Sequence, residues 1–321
     1  MPALEARERL NPKGSEARIN LTPDGDSFYL PSVLAEAHGW TGPPPADTMA
    51  EVAQVCEGLW NPRERMGMSI FGKWNPLPRD KVFMGAYEAI DGCEGEAMVP
   101  IYRYSGNTGK RKSTTGRDAY IPVVHCWGGT IVEDIARHLS ALTGFVYNQV
   151  VINHYRDGSD HISYHVDKRR DMAPGVPITT LSLCEEGGER PILLRRENPT
   201  RGDVVSQTLA MGDVYAIGYE TNVTHKHCIP KRMGVRVART SMTFRRIDTA
   251  QRVRVVVLAS GMMSYERLTV LCPCEGYFSG SKVETKAKAK AKKKRRCLEE
   301  DSEDKELKRK RTKEEEEEGG A

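Results

Sequence analysis

Long apolar runs are missing from this sequence. None approaches the ~18 to 20 residues of a membrane-spanning helix, so no membrane partner is expected. The first ten residues, M-P-A-L-E-A-R-E-R-L, lack the apolar core of a secretory signal. A reducing cytosolic or nuclear compartment is therefore expected. The eight cysteines are scattered and form no disulfide framework. A strong net charge is also missing: the whole chain carries +4. Of its 48 Lys+Arg and 44 Asp+Glu, 15 and 12 fall between Lys282 and Ala321, which leaves 33 against 32 elsewhere. The body thus has a net charge of only +1, and any grip on nucleic acid must come from local patches.

What is present is enough apolar residue, 39% of 321, for one sizeable domain, beside 29% charged residues for solvated extensions. Residues 1 to 45 read as a disordered or linker N-terminus: polar, aperiodic, and ending in T-G-P-P-P-A. Thr48 and Glu51 have the spacing of a capping box for the helix M-A-E-V-A-Q-V-C-E-G-L-W. I-V-E-D-I-A-R-H-L-S-A-L, residues 131 to 142, has apolar residues at helical spacing.

After Gly144 the texture changes to short β-rich runs punctuated by Gly, Pro, Asp and Asn. They are F-V-Y-N-Q-V-V-I-N-H-Y, I-T-T-L-S-L, P-I-L-L, V-V-S-Q-T-L, D-V-Y-A-I-G and V-R-V-A-R-T-S-M-T-F-R-R-I. The expected fold is α+β, helices first and then a β sandwich or jelly roll. The folded domain is expected over 46–250, with 251–281 an extension of unknown role. Residues 282–321 form a charged tail whose basic clusters, K-A-K-A-K-A-K-K-K-R-R and K-R-K-R, are spaced like a bipartite nuclear import signal. Nuclear import machinery is the expected partner of the tail and the nucleus the expected location. A monomer is expected.

His165 and Asp167 are two apart, so on a strand both point to one face. About sixty residues on, T-H-K-H-C-I-P offers a second histidine, His225 or His227. Two histidines and a carboxylate on one face of a metal are the ligand set of non-haem Fe(II) oxygenases, with the opposite face open for a co-substrate and dioxygen. Arg239 and Arg245, six apart, share a strand face with Thr243. A buried arginine pair needs anionic partners, and a dicarboxylate supplies them by bidentate pairing. Asn153 and Tyr155, again two apart, can add neutral hydrogen bonds. Metal triad and dicarboxylate clamp together imply Fe(2+) with 2-oxoglutarate and O2 as co-substrates.

Taken as a set, I-N-H-Y-R-D-G-S-D-H-I-S-Y-H-V-D, A-P-G-V-P-I, M-G-D, T-H-K-H-C-I-P and R-T-S-M-T-F-R-R-I resemble the AlkB family of Fe(II)/2-oxoglutarate dioxygenases. F-G-K-W-N-P-L-P-R and I-Y-R-Y-S-G are similar to its nuclear DNA-repair branch, and the resemblance runs from about residue 66 to 247. It implies a double-stranded β-helix (jelly-roll) core with N-terminal helices and substrate-recognition loops. It selects His227 over His225 as third iron ligand, because the family's distal histidine precedes x-x-P. Arg239 would hold the far carboxylate of 2-oxoglutarate. Arg245 would lie by the end that chelates iron, with Asn153, Tyr155 and Thr243 as helpers.

The activity implied is oxidative demethylation of N-alkylated bases in DNA, of the 1-methyladenine and 3-methylcytosine type, with release of succinate, CO2 and formaldehyde. A base inside a duplex cannot reach buried iron and must be flipped out. Phe71 matches the wedge that fills the vacated stack, Gly72 shapes its turn and Lys73 would reach a phosphate. Tyr102 and Tyr104 match residues that hold the flipped base, with Arg103 between them facing phosphate. The alternatives are an RNA or protein oxygenase on the same fold, or a non-catalytic nucleic-acid-binding module.

In one place the sequence departs from the family pattern. H-x-D is usually followed by x-E, an acidic residue that meets the base. Here Lys168 and Arg169 stand instead. A cation facing the pocket would oppose a positively charged lesion. Three accounts follow: Arg169 turns outward to phosphate, Asp171 takes over the acidic role, or the pocket prefers neutral lesions. The first is favoured.

Overall fold

In the computed structural model the described residues are 19–22, 26–61, 67–70, 73–102, 123–196, 204–266 and 274–275. They all fall in the first of two compact units, Met1–Phe278, and none in the second, Ser279–Ala321. Phe71, Gly72, Arg103, Tyr104 and the charged tail lie outside the described residues, and of Lys73 only the backbone is described.

The chain opens with β1 (Ile19–Asn20), β2 (Phe28–Leu30) and helix α1 (Pro45–Cys56). β3 (Gly67–Ile70) and β4 (Lys73–Pro76) form a hairpin, followed by β5 (Asp80–Gly85), β6 (Glu88–Ala89), β7 (Glu96–Pro100) and β8 (Val124–Cys126). Helix α2 (Ile131–Thr143) precedes β9 (Gln149–Tyr155), β10 (Ile162–His165), β11 (Ile178–Cys184), β12 (Arg190–Arg196), β13 (Val204–Leu209) and β14 (Val214–Ile217). The single turn α3 (Thr221–Thr224) leads into β15 (His225–Ile229), then β16 (Arg239–Arg245), β17 (Thr249–Val257), β18 (Met263–Glu266) and β19 (Cys274–Glu275).

Two sheets make the jelly roll. The major sheet runs β1-β2-β14-β11-β16-β9-β5-β8 and the minor one β10-β15-β12-β13. The major sheet has two unlike faces, because successive side chains on a strand alternate. One face carries Val82, Met84, Val150, Ile152, Leu181, Met242 and Phe244 and packs in one core with α1 and α2. α2 earns its place with Ile131, Val132, Ile135, Ala136 and Leu139, all buried, and stops where Gly144 takes a left-handed φ of 73°. Cutting the fully buried Leu139 to Ala would cost about 2–5 kcal/mol. The other face is unusually polar for a buried surface: Asn153, Ser182, Ser241, Arg239 and Arg245 are all buried there. Such a face is costly unless its polar groups find partners.

Three expectations need correction. The N-terminus is not all linker: β2 pairs with β14, and Phe28, Leu30, Val33, Leu34 and Trp40 are buried in the main core. The helix does not start at a Thr48 cap. It starts at Pro45, whose fixed φ and missing N–H suit a first helical position. Thr48 is buried one turn in, its hydroxyl donating to the Pro43 carbonyl at 2.9 Å. Finally, the folded unit does not end near 250. β17 runs to Val257, pairing with β7 and β18, so part of 251–281 extends a further sheet.

Candidate metal and co-substrate site

His165 ends β10 and His227 sits on β15, paired with it across the antiparallel ladder. Their ring centroids are 4.2 Å apart. Asp167 follows just beyond the strand, with Oδ1 3.7 Å from Nε2 of His165. One ligand atom from each of the three lies within 4.8 Å of the others. His225, by contrast, sets its Nδ1 2.8 Å from Thr224 Oγ1 and stands outside this group.

The charge state suits a divalent cation. Burial lowers His165, and pushes His227 down to about 3, so both imidazoles are neutral at neutral pH. Burial alone would raise Asp167, but Arg245 and the two histidines outweigh it and hold the carboxyl well below its ordinary range. His165 Nδ1–H donates to the Ser163 carbonyl at 2.9 Å, which leaves Nε2 as the ligand atom. Arg245 Nη2 donates to Asp167 Oδ2 at 2.7 Å, so one carboxylate oxygen is anchored while the other faces the histidines.

Deeper on the same face, Arg239 is 1% exposed. Its Nε donates to Ser182 Oγ at 3.0 Å, but Nη1 and Nη2 have no hydrogen-bond partner among the described residues. Two buried, charged amino groups in a fork suit a carboxylate, which such a fork binds bidentately. Tyr155 lies between two buried guanidiniums, its ring centroid 5.6 Å from Arg239 and 5.9 Å from Arg190. Asn153 Oδ1 accepts from Arg79 Nε at 3.1 Å. Thr243 Oγ1 accepts from Thr180 Oγ1 at 3.3 Å, and its carbonyl accepts from Arg245 Nη1. Asn153, Tyr155, Arg239, Thr243 and Arg245 line one cavity with the three candidate metal ligands. The residues present therefore fit both an iron ion and a dicarboxylate.

Several residues of this site escaped the sequence reading. Lys81, 3% exposed, lines the cavity, and burial followed by the charges of Arg79 and Arg245 lowers its pKa well below the ordinary amine value. Arg190 is 1% exposed and ties three carbonyls together, donating to Asp157, Asp160 and Pro230 at 3.1, 2.9 and 2.5 Å. It thereby joins the approach to β10 to the exit from β15. Gly158 lies in the same joint, its N–H donating to Val235 and its carbonyl accepting from Arg232.

The rim residues are placed as follows. Tyr102 is 4% exposed; its hydroxyl accepts from the Lys168 N–H at 3.0 Å and its ring lies 4.8 Å from the Arg245 guanidinium. Lys168 and Arg169 are exposed, and Arg169 lies across the Tyr219 ring at 5.6 Å rather than over the cavity. Asp171 is buried at 2%, accepting from Thr249 Oγ1 at 2.9 Å. It is built into the joint with β17, its carbonyl also accepting from the Asp248 N–H at 2.8 Å.

The model of the 2OG-Fe(II) oxygenase superfamily matches residues 93–245. That span contains the three candidate metal ligands and both arginines. Over 183 residues it is 34% identical to the DNA oxidative demethylase ALKBH2 of Homo sapiens, covering 56% of this chain and 60% of that protein. Over 202 residues it is 31% identical to the protein of the same name from Bos taurus, covering 62% and 64%. The chain thus spans less than two thirds of the length of these relatives. The solved structure of OsALKBH1 aligns with a TM-score of 0.42 at 14% identity, covering 69% of this chain and 98% of that one.

Proposed function

We propose that the protein repairs DNA by oxidative demethylation of N-alkylated bases. Fe(II) with 2-oxoglutarate and dioxygen supplies the power to convert an N-methyl group to N-hydroxymethyl, as 2-oxoglutarate becomes succinate and CO2. The hydroxymethyl adduct then breaks its C–N bond to release formaldehyde and the unmodified base. His165, Asp167 and His227 would hold the metal, and Arg239 the far carboxylate of 2-oxoglutarate. Arg245 keeps Asp167 ionised and oriented. Asn153, Tyr155 and Thr243 would shape the co-substrate's walls.

The observation that carries this reading is the unpartnered fork of Arg239 sharing one buried cavity with the His-Asp-His set. The names of the similar proteins supply the substrate class, DNA. Outward placement of Arg169 supports lesions of the cationic type, 1-methyladenine and 3-methylcytosine. Phe71 would serve as the wedge and Tyr104 as a stacking partner of the flipped base, with Gly72, Lys73, Arg103 and Lys168 along the backbone path. The tail's basic clusters would carry the protein to the nucleus.

The test is formaldehyde and succinate release against methylated single- and double-stranded oligonucleotides. The expected result is one formaldehyde per base repaired, lost in Asp167→Ala, with Phe71→Ala impaired on duplexes and spared on single strands. Release from methylated RNA or peptide, with none from DNA, would sink the DNA reading.

A further inference from the structure

Asp167 lies past the last residue of β10, where no strand ladder holds its backbone. It is held instead by one side chain. The Asp167 N–H donates to Asn222 Oδ1 at 3.0 Å, and Asn222 Nδ2 donates back to the Asp167 carbonyl at 2.9 Å. A single amide thus pairs with both polar groups of one residue, as a neighbouring strand would. Asn222 is 1% exposed and belongs to α3.

A single helical turn has no stability of its own, so something must fix α3. Asp26 does so. Its Oδ2 accepts from the N–H groups of Glu220 and Thr221 at 3.1 and 3.0 Å, and its Oδ1 accepts from the Thr221 hydroxyl. Ser27 Oγ accepts from the Gly218 N–H at 2.9 Å. Gly218 leaves the room for this: a Cβ there would stand 2.0 Å from Asp26 Cγ. Asp26 and Ser27 are held in turn by β2, which follows directly and pairs with β14.

We propose that Asn222 is a positioning residue for the metal ligand Asp167, and that Asp26 and Ser27, by fastening α3, make the N-terminal segment part of the metal site. This rests on His165, Asp167 and His227 being the metal ligands. The carboxylate has two independent restraints, Arg245 on its oxygen and Asn222 on its backbone. Arg245 fixes where the oxygen points. Asn222 fixes where the residue stands relative to His165 and His227. Loss of either loosens the distance between ligand atoms, and metal affinity is sensitive to such supporting contacts.

The test is Mn2+ binding to the full-length protein, followed by the signal of free Mn2+ in electron paramagnetic resonance, beside a thermal melt. Asn222→Ala and Asp26→Asn are expected to weaken Mn2+ binding by about tenfold or more. Asp26→Asn keeps the side-chain shape and decides the matter should Asn222→Ala fail to fold. Leu34→Ala, in the same N-terminal segment but facing the helical core, is expected to melt earlier and bind Mn2+ as wild type does. Binding within about twofold of wild type in both site variants would overturn the inference, as would an equal loss in Leu34→Ala. A wild type that binds no Mn2+ would overturn the metal reading and this inference with it.

Discussion

Arg239→Met is expected to raise the stability of the protein without its co-substrate and to abolish the stabilisation that 2-oxoglutarate brings. The guanidinium is 1% exposed, and Nη1 and Nη2 have no hydrogen-bond partner among the described residues. Burial disfavours its charge, Arg190 adds repulsion, and Tyr155 and Cys184 offset only part of this. Leaving charged donors buried and unpaired costs several kcal/mol. Methionine fills similar space, removes that cost and gives up one bond, Nε to Ser182 Oγ, of about 1 kcal/mol. The net gain is about 1–2 kcal/mol, or about 2–8 °C in Tm for a domain of this size. With 2-oxoglutarate at a hundred times its Kd, wild type should gain about 2.7 kcal/mol, about 5–10 °C, and the variant nothing. The two melting curves therefore exchange order on addition of the co-substrate. Calorimetry in Mn2+, with and without 2-oxoglutarate, reads this directly. A variant that melts below wild type without 2-oxoglutarate, or that keeps the full shift with it, refutes the reasoning.

Arg169→Glu should weaken binding to any oligonucleotide and make the salt slope shallower by about 0.9 for each phosphate that Arg169 neutralises. The preference between 3-methylcytosine and a neutral lesion should stay unchanged; a changed preference with an unchanged slope would put Arg169 in the pocket after all. His125, pushed down to about 4 by burial, should be neutral in the folded protein at pH 5 and protonated in the unfolded one. The unfolded state then binds more protons between about 6.5 and about 4, so stability is full above that window and falls as pH drops through it. Urea unfolding of His125→Phe should show a shallower acid slope than wild type; equal slopes would count against burial as the cause. Gly158→Ala would bring a Cβ to 1.7 Å from the Arg232 carbonyl, and should cost about 1–3 kcal/mol or more in denaturant melts. A neutral result would mean the joint between the loops yields freely.

The strands and the helix at 131–143 were legible because their signals are local: alternation of apolar residues, helical spacing, and Gly144 as a stop. So were His165, Asp167, Arg239 and Arg245, whose two-residue and six-residue spacings carry the face they share. The choice of His227 over His225 needed either the family pattern or the pairing of His227 with His165. Asn222, Arg190 and Asp26 were not legible, since their roles depend on bonds to residues far away in the chain. Lys81 left a faint trace, a lysine next to Val82, Phe83 and Met84 in a strand buried along its length. The N-terminus was misread because Phe28, Leu30 and Trp40 are too widely spaced to show periodicity. The Thr48 cap was misread because Pro45 begins the helix first.

The two unlike faces of the major sheet allow the fold and the chemistry to vary separately. On β9, Val150 and Ile152 belong to the helical core while Asn153 and Tyr155 belong to the cavity. A substitution on one set leaves the other in place, so cavity residues can be randomised in a library without repacking the core. An insertion or deletion has no such freedom. One residue added within β9 or β16 would turn the cavity's arginines and asparagine into the helical core, and Val150, Ile152, Met242 and Phe244 toward the cavity. Within these strands, natural and engineered variation should therefore proceed by substitution, and changes of length should collect in the connections between them.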